Sequence, residues 1–161
     1  MGRFAITVFA AALILGMSNA RAAEVPGNWV EVAAGPMFTV KAPPGTTFER
    51  TRVGDAFSGI IHGAGFDLVI EFGYHRDEIQ NPTAAQNAKV EKVVIDEKPG
   101  SIIMASVADP AHPYYAGLHV PAVENDIIGN LSLMVNGQLT KAEDQATVHQ
   151  IYETVKFGYK N

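Results

Sequence analysis

The 161-residue chain contains no cysteine. That excludes disulfide staples, thiolate metal sites, thiol catalysis and acylation of a leader cysteine. Basic residues are scarce: 12 Lys and Arg stand against 17 Asp and Glu, a net charge of −5. An acidic chain fits nucleic acid and anionic membranes poorly, so neither is an expected partner. No apolar run reaches the roughly 20 residues that a membrane-crossing helix needs. Also missing are the H-E-x-x-H and H-x-x-E-H patterns of zinc helices and the G-x-S-x-G nucleophile turn. Phe57-Ser58-Gly59 lacks the leading glycine, and Gly63-Ala64-Gly65 joins two strand patterns rather than opening a helix. The sequence therefore yields no catalytic residue, no metal ligand set and no cofactor.

What the chain does have begins with an export signal. Arg3 is followed by an almost wholly apolar stretch from Phe4 to Met17, and Gly16, Ser18 and Asn19 loosen the helix at its end. Ala20-Arg21-Ala22 sets small side chains at the two positions that signal peptidase inspects, which predicts cleavage between Ala22 and Ala23. The apolar core is too short to remain as an anchor. Ile6 at the sixth position excludes a myristoylation signal at Met1-Gly2. The expected organisation is a signal peptide at residues 1–22 and a single domain at 23–161, periplasmic or secreted, with no stable membrane anchor after cleavage. Loss of Arg3 and Arg21 takes that domain to −7.

The domain reads as strands followed by one helix. Trp29–Val32 and Met37–Lys41 are short strand patterns, and Pro43-Pro44-Gly45 predicts a type II turn after them. Phe66, Leu68, Ile70, Phe72 and Tyr74 alternate with Asp67, Glu71 and His75, the pattern of a strand with one face on a core. With Ala56–His62 this strand makes a hairpin around His62-Gly63-Ala64-Gly65. Val90–Asp96 and Ser101–Ala108 make a second around Lys98-Pro99-Gly100, and Leu118–Val123 and Ile127–Val135 a third around Glu124-Asn125-Asp126. Residues 76–87 are expected as a polar loop with one helical turn at Thr83–Asn87, and Asp109–Gly117 as an irregular, ordered loop. Thr140-Lys141-Ala142-Glu143 has the form of a capping box, and Val148, Ile151, Tyr152 and Val155 fall on one helical face. The expected fold class is α+β, an antiparallel β-sheet built from hairpins with a C-terminal amphipathic helix packed on one face. An all-β sandwich with a peripheral helix is the alternative.

Trp29–Val32, Phe38–Gly45 and Phe66–Tyr74 resemble the opening and the central strand of small exported bacterial proteins of unknown function. The order of hairpins and closing helix (Thr140–Phe157) is similar to the PsbP/Mog1 fold, an antiparallel sheet flanked by helices. PsbP-like proteins act mostly in binding and assembly, and the resemblance implies that kind of role here. It assigns no residue.

Among the five histidines, His62 opens a turn, His119 alternates with apolar residues on a strand's polar face, and His149 sits beside the helix stripe. Asp109–Tyr115 is the densest chemical cluster: a carboxylate, an imidazole and two phenols on a loop stiffened by Pro110 and Pro113. The ligand-binding candidates are His75, Asp109, His112 and Tyr114, weighed against a loop that simply caps the sheet. The expected role is a non-enzymatic binding or accessory protein of the cell envelope with a protein or small-molecule partner. A small hydrolase or metal-dependent enzyme using the Asp109–Tyr115 loop is the alternative. N-terminal sequencing of the exported form is expected to begin at Ala23. A start at Met1, or retention in the membrane, refutes the cleavage reading.

Overall fold

A computed structural model describes residues 24–53, 56–74, 86–126 and 129–158. The expected signal peptide at residues 1–22 with its expected Ala22–Ala23 cleavage point, most of the 76–87 segment, His75, Ile127 and Ile128 lie outside the described residues. Among those residues the chain is mostly antiparallel β-sheet with one C-terminal helix packed against it. Strands β1 (Val30–Ala34), β2 (Phe38–Ala42) and β10 (Lys156–Phe157) form a small sheet in the order β1-β2-β10. A seven-stranded sheet holds β3 (Thr47–Val53), β4 (Ala56–Gly63), β5 (Phe66–Gly73), β6 (Gln86–Ile95), β7 (Lys98–Ser106), β8 (Tyr114–Asp126) and β9 (Gly129–Leu139). Its order is β3-β4-β5-β9-β8-β7-β6, with every pair antiparallel. Helix α1 spans Ala142–Glu153. Among the described residues no helix is long and apolar enough to cross a membrane.

The alternation read in β5 sets the core. Phe66, Leu68, Ile70 and Phe72 are all buried, while Asp67, Val69 and Glu71 on the other face are half-buried. Ile102, Ala116, Leu118, Val120, Leu133 and Val135 extend the same inner face across the sheet. Val148, Ile151 and Tyr152 of α1, and Val32, Phe38 and Val40 of the small sheet, belong to that one cluster. Helix and small sheet thus cover the same face of the large sheet. Gly45, at φ 86°, and the Thr46 amide donating to Pro43 O at 3.2 Å make the turn expected at Pro43-Pro44-Gly45.

Several expectations are corrected. Thr47–Val53 is an edge strand absent from the sequence reading. Its alternating polar residues fit an edge of the sheet. The β6–β7 turn is Asp96-Glu97, not Lys98-Pro99-Gly100. Both turn residues take positive φ (46° and 68°), the conformation of a two-residue type I′ turn, and Pro99 pairs with Val94 inside the ladder. Asp96 is held there by accepting hydrogen bonds from the Phe157 amide at 2.9 Å and Lys156 Nζ at 2.8 Å. Partial burial opposes ionisation of Asp96, yet these donors hold its carboxyl below the usual range. Gln86 and Asn87 lie in β6 rather than in a helical turn, and Glu124-Asn125-Asp126 lies in β8 rather than in a turn.

The capping box does not form. Thr140 Oγ1 donates to Gly65 O at 3.4 Å, the Thr140 amide donates to the same carbonyl at 3.1 Å, and Lys141 flanks the helix without a side-chain cap. Glu143 and Asp144 still place negative charge in the first turn, where the helix dipole favours it. The helix also ends before the expected Phe157. Thr154 Oγ1 donates to Ile151 O at 2.7 Å and accepts from the Lys41 amide at 2.8 Å, which turns the chain into β10. Val155, the last residue of the expected stripe, is buried beyond the helix end.

Tyr152 joins helix to sheet: its buried hydroxyl donates to Ala116 O at 2.8 Å. Burial raises its pKa well above that of a free phenol. Tyr152→Phe is expected to cost about 1–2 kcal/mol by leaving a buried carbonyl unpaired. Ile151→Asp is expected to cost several kcal/mol, enough to unfold most of the protein at 37 °C. Denaturant titration checks both. A wild-type midpoint for Ile151→Asp refutes the packing of α1.

Candidate functional site

The Asp109–Tyr115 cluster divides in the structure. Residues 107–113 form a short connection closed at its base by the Val107 amide donating to Pro113 O at 2.9 Å. Within it Asp109 Oδ1 accepts from the Ala111 amide at 2.9 Å, an Asx turn, and Asp109 Oδ2 lies 3.7 Å from His112 Nδ1. The Ala111 amide, then the amide and ring of His112, lower the Asp109 pKa. Asp109 and His112 are therefore together, with the carboxylate engaged in holding its own loop.

Tyr114 is not in that loop. It opens β8 opposite Ser106 and Leu139, and its half-buried ring packs on the main core. The expected irregular loop to Gly117 thus stops at Pro113. The β pattern at Tyr114–Gly117 was obscured by two adjacent tyrosines and a glycine. His75 lies outside the described residues.

Tyr115 points to the opposite face of the sheet. Its hydroxyl donates to Asn136 Oδ1 at 2.7 Å, and a Cβ on Gly117 would stand 2.7 Å from that hydroxyl oxygen, so the ring lies across the glycine. Burial pushes the Tyr115 pKa up to about 12, which keeps it a neutral donor. With Ile103 and Ala105 it forms a second, smaller cluster on this outer face. His119, expected on a polar face, does share this side but is buried at 8 % exposure, opposite Ser101 and Met134. Ile60, Val69, Glu71, Met134 and Asn136 are half-buried around it.

Sequence reasoning missed a histidine, His62, bridged by acids from two neighbouring strands. His62 lies in β4, not in a turn. Its Nδ1 is 2.8 Å from Asp67 Oδ1 on β5 and its Nε2 is 3.4 Å from Glu49 Oε2 on β3. The signal was present in the β4–β5 spacing, which pairs His62 with Asp67 across a two-residue turn; Glu49 was hidden because β3 was not recognised. With a carboxylate on each ring nitrogen the arrangement suits an imidazolium and leaves no ring lone pair for a metal. Among the described residues no group of three ligating side chains has metal-site geometry. No family model, curated protein or solved structure matches the chain.

His62 makes stability depend on pH. The hydrogen bond that His62 donates to Asp67 raises its pKa above 6.5, with burial opposing and the Asp67 and Glu49 charges adding. The stabilisation is therefore complete below the unfolded pKa of about 6.5 and fades as pH rises through the higher folded value. The imidazole is 39 % exposed, so the increment is expected to stay under about 1 kcal/mol. Denaturant midpoints across this range should fall for the wild type and flatten for His62→Gln. A His62 proton titration at or below pH 6.5 refutes the tie.

Proposed function

We propose that the chain is an exported, non-enzymatic binding or accessory protein of the cell envelope. The observation that carries this reading is the sidedness of the large sheet. Helix α1 and the small sheet share one face, and the other carries a mixed surface of Ile60, Val69, Glu71, Met134 and Asn136 around buried Tyr115 and His119. Half-buried apolar side chains interleaved with hydrogen-bonding groups are the composition of a protein-binding face. The secretory pattern at residues 1–22 supports placing that face outside the cytoplasm. A sheet built from hairpins, an amphipathic α1 and a likeness to PsbP-type binding proteins belong to the same proposal. Asp109 and His112 contribute to it as the rim of the β7–β8 connection rather than as reacting groups.

The test is site-specific photo-crosslinking in intact cells, with the reactive side chain at Val69 or Met134 and a control at Glu143 on the exposed start of α1. A discrete adduct from Val69 and Met134 that the control lacks is expected, in the envelope or exported fraction. Equal labelling at all three positions, no adduct, or a chain that stays in the cytoplasm refutes the proposal.

A further inference from the structure

Among the described residues, strand β6 is one edge of the seven-stranded sheet and pairs only with β7. Seven residues from Gln86 to Lys92 are exposed along it, and Val90 and Val94 are 56 % and 74 % exposed. Val90 lies opposite Ile103, so Val90, Lys92 and Val94 share the outer face. Glu91 lies on the other face, where its carboxylate is 3.0 Å from His149 Nε2 of α1. A sheet edge with exposed valines is a template for another strand.

Charge and regularity argue against a second copy in the registers centred on Lys92 and Val90. From Lys89 to Ile95 the ladder with β7 is regular. A twofold centred on this run sets Lys92 against its own copy, and like charges directly opposite are destabilising. A twofold at Val90 would pair Lys89 with Glu91, but it runs into the register shift between Gln86 and Lys89, where Asn87 has φ 51°. The edge instead complements a strand with an acidic residue opposite Lys92 and apolar residues opposite Val90 and Val94.

We propose that β6 docks an extended segment of a protein partner whose acidic side chain is flanked, two positions to either side, by apolar ones. Main-chain hydrogen bonds supply the affinity, and the three outward side chains supply the selection. This rests on reading the chain as a binding protein and names its edge as the docking element.

The probe is an acetylated seven-residue peptide of threonines with valine, aspartate and valine at its second, fourth and sixth positions. It is titrated into the isotope-labelled protein and followed by amide shifts and hydrogen exchange. Shifts and new protection confined to Lys89–Ile95 are expected. Lys92→Glu should weaken binding by roughly threefold to tenfold, the range of a cross-strand charge pair. A peptide with lysine in place of aspartate should recover it. Lys41→Glu changes the net charge equally on the small sheet and should leave affinity as it was. Shifts at Val69 and Met134 instead of β6 overturn the edge assignment while leaving the binding reading intact. No shift at millimolar peptide, an affinity indifferent to Lys92, or concentration-dependent protection of β6 without peptide each overturns it; the last points to a second copy.

Discussion

The hydrogen bond from Tyr152 to the Ala116 carbonyl sits where α1, β8 and β9 meet. Its geometry depends on Gly137, opposite Ala116 in the ladder. A Cβ at Gly137 would stand 3.1 Å from the Tyr152 hydroxyl oxygen and 2.7 Å from the Ala116 oxygen. The missing side chain is what lets the helix lie down on the centre of the sheet. Gln145, one helical turn from the start of α1, adds two bonds from Nε2, to Ala105 O at 3.0 Å and Tyr115 O at 3.1 Å. The helix is thus registered against β7 and β8 by polar contacts, with the apolar stripe supplying the bulk of the burial.

A related device operates on the outer face. Tyr115 covers Gly117 as Tyr152 covers Gly137, and on the inner face the Phe66 ring covers Gly63 and the Phe48 ring covers Gly59. Glycine in a strand is weak because it offers no side chain to pack, and a neighbouring ring laid over it restores the lost contact. The two tyrosines differ from the phenylalanines in carrying a hydroxyl. Each donates it to an acceptor near the middle of the sheet, Tyr152 to the buried Ala116 carbonyl and Tyr115 to the half-buried Asn136.

What could be read from the sequence follows from which signals are local. The β5 alternation from Phe66 to Phe72 and the Val148-Ile151-Tyr152 spacing report burial directly, while Tyr74, read on the same core face, is exposed beyond the end of β5 and Val155 is buried beyond the end of α1. Pro44-Gly45 fixes its turn by backbone chemistry alone. The Asp96-Glu97 turn does not announce itself, because two non-glycine residues take positive φ there. Asp96 is supported by Lys156 and Phe157, some sixty residues away. Thr140 has the sequence of a cap, but the Gly65 carbonyl is a tertiary competitor for its hydroxyl. Tyr114 and Tyr115 read as one polar cluster with Asp109 and His112, yet adjacent strand residues face opposite ways. One ring therefore joins the core and the other the outer face.

The histidines show why residue type alone does not give a side chain's partners. His62 lies between Glu49 and Asp67, His112 beside Asp109, and His149 between Glu91 and Glu153. Two of these three link separate elements: His62 ties β3 and β5 to β4, and His149 ties α1 to β6. With no cysteine to staple the fold, imidazole–carboxylate contacts hold edge strands that bury little apolar surface of their own. β3 and β6 are those edges, and each receives one such tie. At His62 the Asp67 and Glu49 carboxylates favour the protonated imidazole, which suits a strand tie better than a general base. Among the described residues, the imidazole–carboxylate contacts of His62 and His149 thus join each edge strand to the elements packed beside it.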